Sequence, residues 1–375
     1  MTGAPTNGVQ DVNKESNLLP RIPVMKPSLP NVEMISSYWR RIDESRVYSN
    51  FGPLNEELTL RLAHYFHVDS DNVLLVSNGT LALQAAVATS SLERSKWVIP
   101  SWTFIATAQA VVSAGSVVEF EDVDPDTWAL SPDSNRSASG VIAVAPFGSQ
   151  VKLEYWAQES RRHPVVIDAA SCFDSCNDLS LVNKYNFAVM ISLHATKLVT
   201  TGEGGVIVGP KAWIAEMKKW INFGFYGDRI ARRTGTNAKL SEYHAAVGLA
   251  SLDQWESTRI SWMTRLTKLS NGLSQNNILV QPAIAEGFVT STLIALFDNQ
   301  EAKMLLERRL LASEIDSRDW WGAGIHNMPA FQIALNGDKP KLPVTEDLAS
   351  RTLGLPMYLD LSDHEIEKIL KVVTD

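Results

Sequence analysis

Cysteine is scarce in this 375-residue chain: there are two, Cys172 and Cys176. A Cys-x-x-x-Cys spacing without a second Cys/His pair is a poor zinc signal, and two free thiols packed as small hydrophobes are the expected state. His64 and His67, which fall on an expected helix among apolar residues, also lack further ligands, so no metal centre is expected. No apolar run approaches the ~20 residues of a membrane-spanning helix, so no membrane partner is expected. No GxGxxG or Walker-type glycine loop is present, which removes nicotinamide and nucleoside-triphosphate readings. Positive charge is in deficit: 34 Lys and Arg against 42 Asp and Glu give a net charge of -8. That balance disfavours nucleic acid and is neutral about a small anionic ligand, whose grip needs only a few basic groups. The polar start, residues 1–20, has no apolar signal core and reads as a disordered tail of a cytoplasmic protein.

What the chain does have is alternation. Short apolar runs at 73–76, 97–100, 117–123, 141–146, 165–168, 187–193 and 206–208 alternate with polar or helical segments. This pattern predicts an α/β fold with a mostly parallel central sheet and helices on both faces, in three layers. In such sheets ligands bind beyond the carboxyl ends of the strands. The division expected is a large domain over 21–250 and a smaller C-terminal α+β domain over 251–375. In the latter, a strand is expected at 292–297, an amphipathic helix at 301–311, and a helix at 345–353 closed by Gly354. Ser362 with Glu365 three residues on predicts a capping box ahead of the last helix.

The chemistry centres on Lys197. It lies between the apolar runs 187–193 and 206–208, in Ser192-Leu-His-Ala-Thr-Lys197-Leu-Val-Thr-Thr-Gly-Glu-Gly-Gly205. A desolvated lysine loses its proton more easily and becomes a nucleophile, which suits a Schiff base to an aldehyde cofactor, pyridoxal phosphate. Such a cofactor needs an anion facing its pyridine nitrogen. Asp168, ending Pro164-Val-Val-Ile-Asp168, is placed to supply it, or to cap the following turn. The phosphate needs N–H groups and hydroxyls at a helix N-terminus. Ser77-Asn-Gly-Thr80, ahead of an alanine-rich helix, offers Gly79 and Thr80 for that purpose, or serves as an ordinary helix cap. Ser192 offers a second hydroxyl.

Further motifs accompany these: Asn78-Gly-Thr-Leu-Ala-Leu83, Pro100-Ser-Trp-Thr-Phe-Ile-Ala-Thr107, Phe120-Glu-Asp-Val-Asp-Pro-Asp-Thr127, Asp168-Ala-Ala170, Gly235-Thr-Asn-Ala-Lys-Leu-Ser-Glu242 and Leu355-Pro-Met357. On these, from about residue 22 to the C-terminus, the chain resembles the nucleotide-sugar aminotransferases of the DegT/StrS family, with the fold-type I architecture of pyridoxal phosphate-dependent transferases. The resemblance implies that Lys197 and Asp168 are catalytic, that Gly79, Thr80 and Ser192 hold the phosphate, and that Phe104 stacks on the cofactor ring. Asn237 and Lys239 would reach into the neighbouring subunit's site, implying a homodimer. Where the family usually has His or Gln near the cofactor's phenolic oxygen this chain has Ser171.

The resemblance also places Tyr48, Asn50 and Phe51 in a loop near the sugar. The arginines of residues 222–233, Arg229 among them, suit a diphosphate through their planar fork, or are a solvated basic loop. His194 reads as a substrate contact or a satisfied strand-end histidine. Trp320 and Trp321 read as pocket lining or as packing of the small domain, with packing or an interface preferred. The implied reaction moves an amino group from L-glutamate to a nucleotide-linked keto-deoxysugar. C4 of dTDP-4-keto-6-deoxyglucose, for O-antigen or other lipopolysaccharide and surface-glycan sugars, is the first reading. A 3-keto or UDP-linked sugar, or a regulatory protein that binds the cofactor without turnover, are the alternatives.

Overall fold

The structure is a computed structural model, and it describes residues 21–90, 95–132, 136–332 and 339–374. The expected tail at 1–20 lies outside the described residues. Among the described residues, seven strands form the central sheet: β1 (Val73–Val76), β2 (Lys96–Pro100), β3 (Val117–Glu121), β4 (Gly140–Val144), β5 (Val165–Asp168), β6 (Phe187–Ser192) and β7 (Gly205–Val208). Their order is β1-β7-β6-β5-β4-β2-β3. Only β7 runs against its neighbours, pairing antiparallel with both β1 and β6, while β6, β5, β4, β2 and β3 pair in parallel.

Strand side chains alternate between faces, and here both faces are apolar. Leu74, Val76, Ile142 and Val166 enter one core with the helices Gly79–Thr89, Ile105–Ser113 and Lys211–Trp220. Val73, Leu75, Val141, Ala143, Val165 and Ile167 enter the other with the helices Pro53–Tyr65, Glu242–Asp253 and Trp255–Ser274. This is the three-layer sandwich that the alternation of runs predicts. Strand ends shift by a residue or two: the run 141–146 stops pairing at Val144 because Pro146 opens a 3-10 turn.

The helix expected after Ser77 starts at Gly79, with Asn78 as its N-cap accepting from the Leu81 N–H at 2.8 Å. His67 is not on a helix. The helix ends at Tyr65, and His67 adopts a left-handed φ of 56° in the turn beyond.

A second sheet of three antiparallel strands, β8 (Leu279–Val280), β9 (Leu293–Leu296) and β10 (Thr352–Leu355), falls within 251–375, with the helices Gln300–Ala312, Pro343–Arg351 and Asp363–Thr374. The expected helix 345–353 closed by Gly354 needs correcting. The helix ends at Arg351, and Thr352 to Leu355 pair with β9, Gly354 lying opposite Ile294. The capping box is present: the Ser362 N–H donates to the Glu365 carboxylate at 2.8 Å. The N-terminal segment packs on this part of the chain, as Ile22 pairs with Ile315 and Val24 O accepts from the Met357 N–H. One apolar core runs from Ile22 to Val373, continuous between the two sheets.

Candidate active site

The carboxyl ends of β4, β5 and β6 open into a cavity of about 550 Å3. Around it stand Gly79, Thr80, Thr103, Phe104, Asp168, Ser171, Ser192, His194 and Lys197. Residues spread over 118 positions of the chain therefore share one hollow because successive strands deliver their ends to the same edge.

Lys197 is carried by the loop after β6. That loop is clasped by a bridge between His194 and Gly202, with the Ala195 N–H donating to Gly202 O at 2.7 Å. The Lys197 Nζ donates to Ser171 Oγ at 2.8 Å. Burial holds its pKa below the usual lysine value, with Asp168 opposing. Lys197 remains partly accessible, as a residue lining a cavity must be.

Asp168 ends β5 and is 5% exposed. Its Oδ2 accepts from Thr107 Oγ1 at 2.7 Å, and its Oδ1 from the Ala170 N–H at 3.2 Å. Thr107 Oγ1 also lies 2.8 Å from Thr103 Oγ1. Burial raises the Asp168 pKa despite both hydrogen bonds and Lys197. The acid and the amine are thus each displaced toward neutrality, because desolvation outweighs their mutual attraction.

The turn 77–80 is built tightly against the sheet. A Cβ on Gly205 would sit 2.8 Å from the Gly79 backbone nitrogen, and a Cβ on Gly79 would sit 2.9 Å from Met190 Sδ. Glycine at 205 lets β7 press against the helix start, and glycine at 79 lets that start press against β6. Asn78 satisfies the Leu81 N–H, while the Gly79 and Thr80 N–H groups, in the first turn, have no partner within the helix. Ser192 closes β6 beside them, its Oγ accepting from the His194 N–H at 3.3 Å.

These features fit pyridoxal phosphate on the structure's own terms. A desolvated carboxyl with two donors and no strong counter-charge suits a ring N–H cation. Free first-turn N–H groups with two hydroxyls suit a phosphate, and a desolvated amine suits an aldehyde. Phe104, 57% exposed at the N-cap of the helix Ile105–Ser113, presents an aromatic ring to the same space.

Other expected residues lie elsewhere. Tyr48, Asn50, Phe51, Arg229, Asn237 and Lys239 do not line this cavity within one chain. Tyr48 stacks on Tyr243 at 6.2 Å, and Lys218 Nζ sits 4.8 Å from the Phe51 ring. Asn50 and Phe51 both adopt left-handed φ values, 65° and 61°. Lys239 Nζ donates to Asn237 Oδ1 at 2.6 Å and lies over Phe223. Asn237 and Arg229 are exposed; Arg232 and Arg233, the other arginines of that loop, pair with Asp228 and Glu216. The two surface regions are joined to each other and to the turn at 77–80. The Glu242 N–H donates to Tyr48 O, its carboxylate accepts from the Leu54 and Asn55 N–H groups, and the Ser77 N–H donates to Ala238 O.

His194 does line the cavity, but its ring is engaged: Nδ1 lies 2.9 Å from Thr196 Oγ1 and Nε2 3.6 Å from the Glu203 carboxylate. Trp320 and Trp321 line it as well as pack, which corrects the preference for packing or an interface. Residue-by-residue reading missed Thr103, Thr107 and Arg318. Thr107 closes a motif already singled out, but nothing in that motif marks its hydroxyl as a partner of Asp168. Arg318 had no local signal.

The profile of the DegT/DnrJ/EryC1/StrS aminotransferase family matches residues 31–374. The chain is 28% identical over 378 residues to protein Rv3402c of Mycobacterium tuberculosis strain H37Rv, covering 95% of this chain and 90% of that one. It is 26% identical over 379 residues to the dTDP-4-amino-4,6-dideoxy-D-glucose transaminase of Shigella dysenteriae, covering 94% and 98%. Among solved structures it resembles DesI, crystallised in the presence of its TDP-sugar product, with TM-score 0.83 and 26% identity over 94% of this chain and 92% of that one. With the family matched over nearly its whole length and the cavity furnished for the cofactor, the chain belongs to the DegT/DnrJ/EryC1/StrS aminotransferase family and is a pyridoxal phosphate-dependent aminotransferase.

Proposed function

We propose that the enzyme transfers an amino group from L-glutamate to a nucleotide-linked keto-deoxysugar, C4 of dTDP-4-keto-6-deoxyglucose being the acceptor position, in making surface-glycan sugars such as those of O-antigen. The observation that carries the chemistry is the convergence of the Lys197 amine and the Asp168 carboxyl on one cavity beside an open helix N-terminus. The acceptor rests on the names of the Shigella relative and of the DesI complex.

When bound, pyridoxal phosphate supplies a carbonyl carbon to which amines bond and a ring that takes up negative charge. Lys197 is the residue that would hold that carbon. Its Nζ would take the proton from the donor's α-carbon and return one to the sugar carbon, a task its lowered pKa suits. Asp168 would keep the ring nitrogen protonated, with Thr107 and the Ala170 N–H fixing the carboxylate. Gly79, Thr80 and Ser192 would hold the phosphate, and Phe104 would cover the ring. Ser171, bonded to Lys197 Nζ, orients the amine.

Asn237 and Lys239 complete the site of a second copy, and Tyr48, Asn50, Phe51 and Arg229 meet the sugar nucleotide across the same contact. Exposed aromatic side chains on this surface, Tyr48, Phe223, Tyr226 and Tyr243, support a homodimer there.

The test is direct. Borohydride followed by peptide mapping labels Lys197, and glutamate with 3-keto or 4-keto dTDP- and UDP-sugars yields an amine located by NMR. Nitrogen at C4 of the dTDP-sugar is expected; nitrogen only at C3, or only on a UDP-sugar, overturns the acceptor assignment, and an unlabelled Lys197 overturns the chemistry.

A further inference from the structure

The anionic part of the substrate needs a cation, and the cavity wall offers few. Among the described residues around the cavity, Lys197 and Arg318 are the ones with Lys or Arg side chains. Lys197 is committed to the reacting carbon. Arg318 comes from the C-terminal part of the chain and is exposed.

Its placement is built. The Arg318 N–H donates to Gly354 O at 3.0 Å and the Gly354 N–H to Arg318 O at 2.9 Å, which pins the segment to β10. The Arg318 guanidinium lies 4.9 Å from the centre of the Trp320 ring. That indole lies against Gly354 so closely that a Cβ there would be 2.2 Å from Trp320 Nε1. Glycine at 354 therefore makes the seat, Trp320 fills it, and Arg318 rests on Trp320. Next along the wall, Trp321 stacks on Phe147 at 3.9 Å, so the neighbouring surface is rigid aromatic packing.

The guanidinium is also left uncommitted. The two nearby acids in sequence are taken, Asp316 by Arg21 and Asp319 by Lys303, and among the described residues no carboxylate pairs with Arg318. A guanidinium stacked on an indole keeps its edge donors in the ring plane free for a planar or tetrahedral oxyanion.

We propose that Arg318, seated on Trp320, is the residue by which this chain's own cavity wall recognises a substrate oxyanion, and that it helps determine which anionic substrate is accepted. It rests on the transaminase reading above, and the oxyanion has two sources, a carboxylate of the amino donor or the diphosphate of the sugar nucleotide. The arrangement favours Arg over Lys, because only the fork bonds two oxygens at once.

Holoenzyme of the wild type, Arg318→Gln and Arg318→Lys is given L-glutamate while the visible band of the bound cofactor is followed, and dTDP binding is measured on the same preparations by calorimetry. Loss of a charged hydrogen-bond pair predicts a change of about ten- to hundredfold for Arg318→Gln, with Arg318→Lys intermediate. A raised half-saturating glutamate concentration with an unchanged limiting rate identifies the carboxylate; weakened dTDP binding with an unchanged glutamate reaction identifies the diphosphate. If the wild type reacts with glutamate or binds dTDP and Arg318→Gln does so equally well, this inference is overturned and the transaminase reading stands. A wild type that does neither overturns both.

Discussion

At the scale of single residues the site is governed by desolvation. Asp168 and Lys197 share a cavity, yet burial raises the one and lowers the other, so attraction between them is the smaller effect. This has a consequence for pH. The folded pKa of Asp168 stands above the ordinary carboxylate value, so the native state binds more protons than the unfolded chain between the two values, and stability falls as pH rises through that window. In cofactor-free protein, wild type should therefore lose melting temperature relative to Asp168→Asn as pH climbs from about 4. Parallel melting curves against pH would count against the assignment, and added cofactor should flatten the wild-type loss by supplying a cation. Lys197 and Asp168 were legible from sequence because one lies between two apolar runs and the other ends one, where an ionisable group needs a reason. Thr107 escaped because a threonine on a helix has no such anomaly; its role is visible only when its hydroxyl meets Asp168 at 2.7 Å.

At the scale of elements, the close approach of β7 to the start of the helix Gly79–Thr89 shapes the proposed phosphate cradle. Gly205→Ala puts a methyl 2.8 Å from the Gly79 nitrogen, with backbone on both sides, so neither partner moves cheaply. The substitution should cost about 1–3 kcal/mol, the usual range for overpacking. Equilibrium denaturation measures that cost, and dialysis should show cofactor released faster than from wild type; unchanged retention would mean the cradle lies elsewhere. Most elements were readable because periodicity and caps agree, as with Asn78 and with Ser362 and Glu365. The segment Thr352–Leu355 was not. Its apolar residues continue a helical spacing equally well, and only pairing with β9 makes it a strand.

For the whole molecule, the surface that joins Tyr48, Asn237 and Lys239 to the turn at 77–80 is the prediction with the widest reach. Mixing Lys197→Ala protein with an Asn237→Ala, Lys239→Ala double variant should restore activity that neither parent has, because a hybrid pair would contain one complete site. No recovery after subunit exchange, shown by mass measurement to have occurred, would mean each chain works alone. By itself the sequence determined the layered α/β architecture, because strand periodicity is a local fact, and it marked Lys197 and Asp168 as candidate amine and acid; the aminotransferase chemistry was implied by the family resemblance that whole motifs carry. Only the tertiary structure decided which distant residues share the cavity. Thr107 reaches Asp168 across 61 positions, and Trp320 with Arg318 is seated by Gly354. Such contacts depend on how separate elements pack, and no spacing along the chain encodes them.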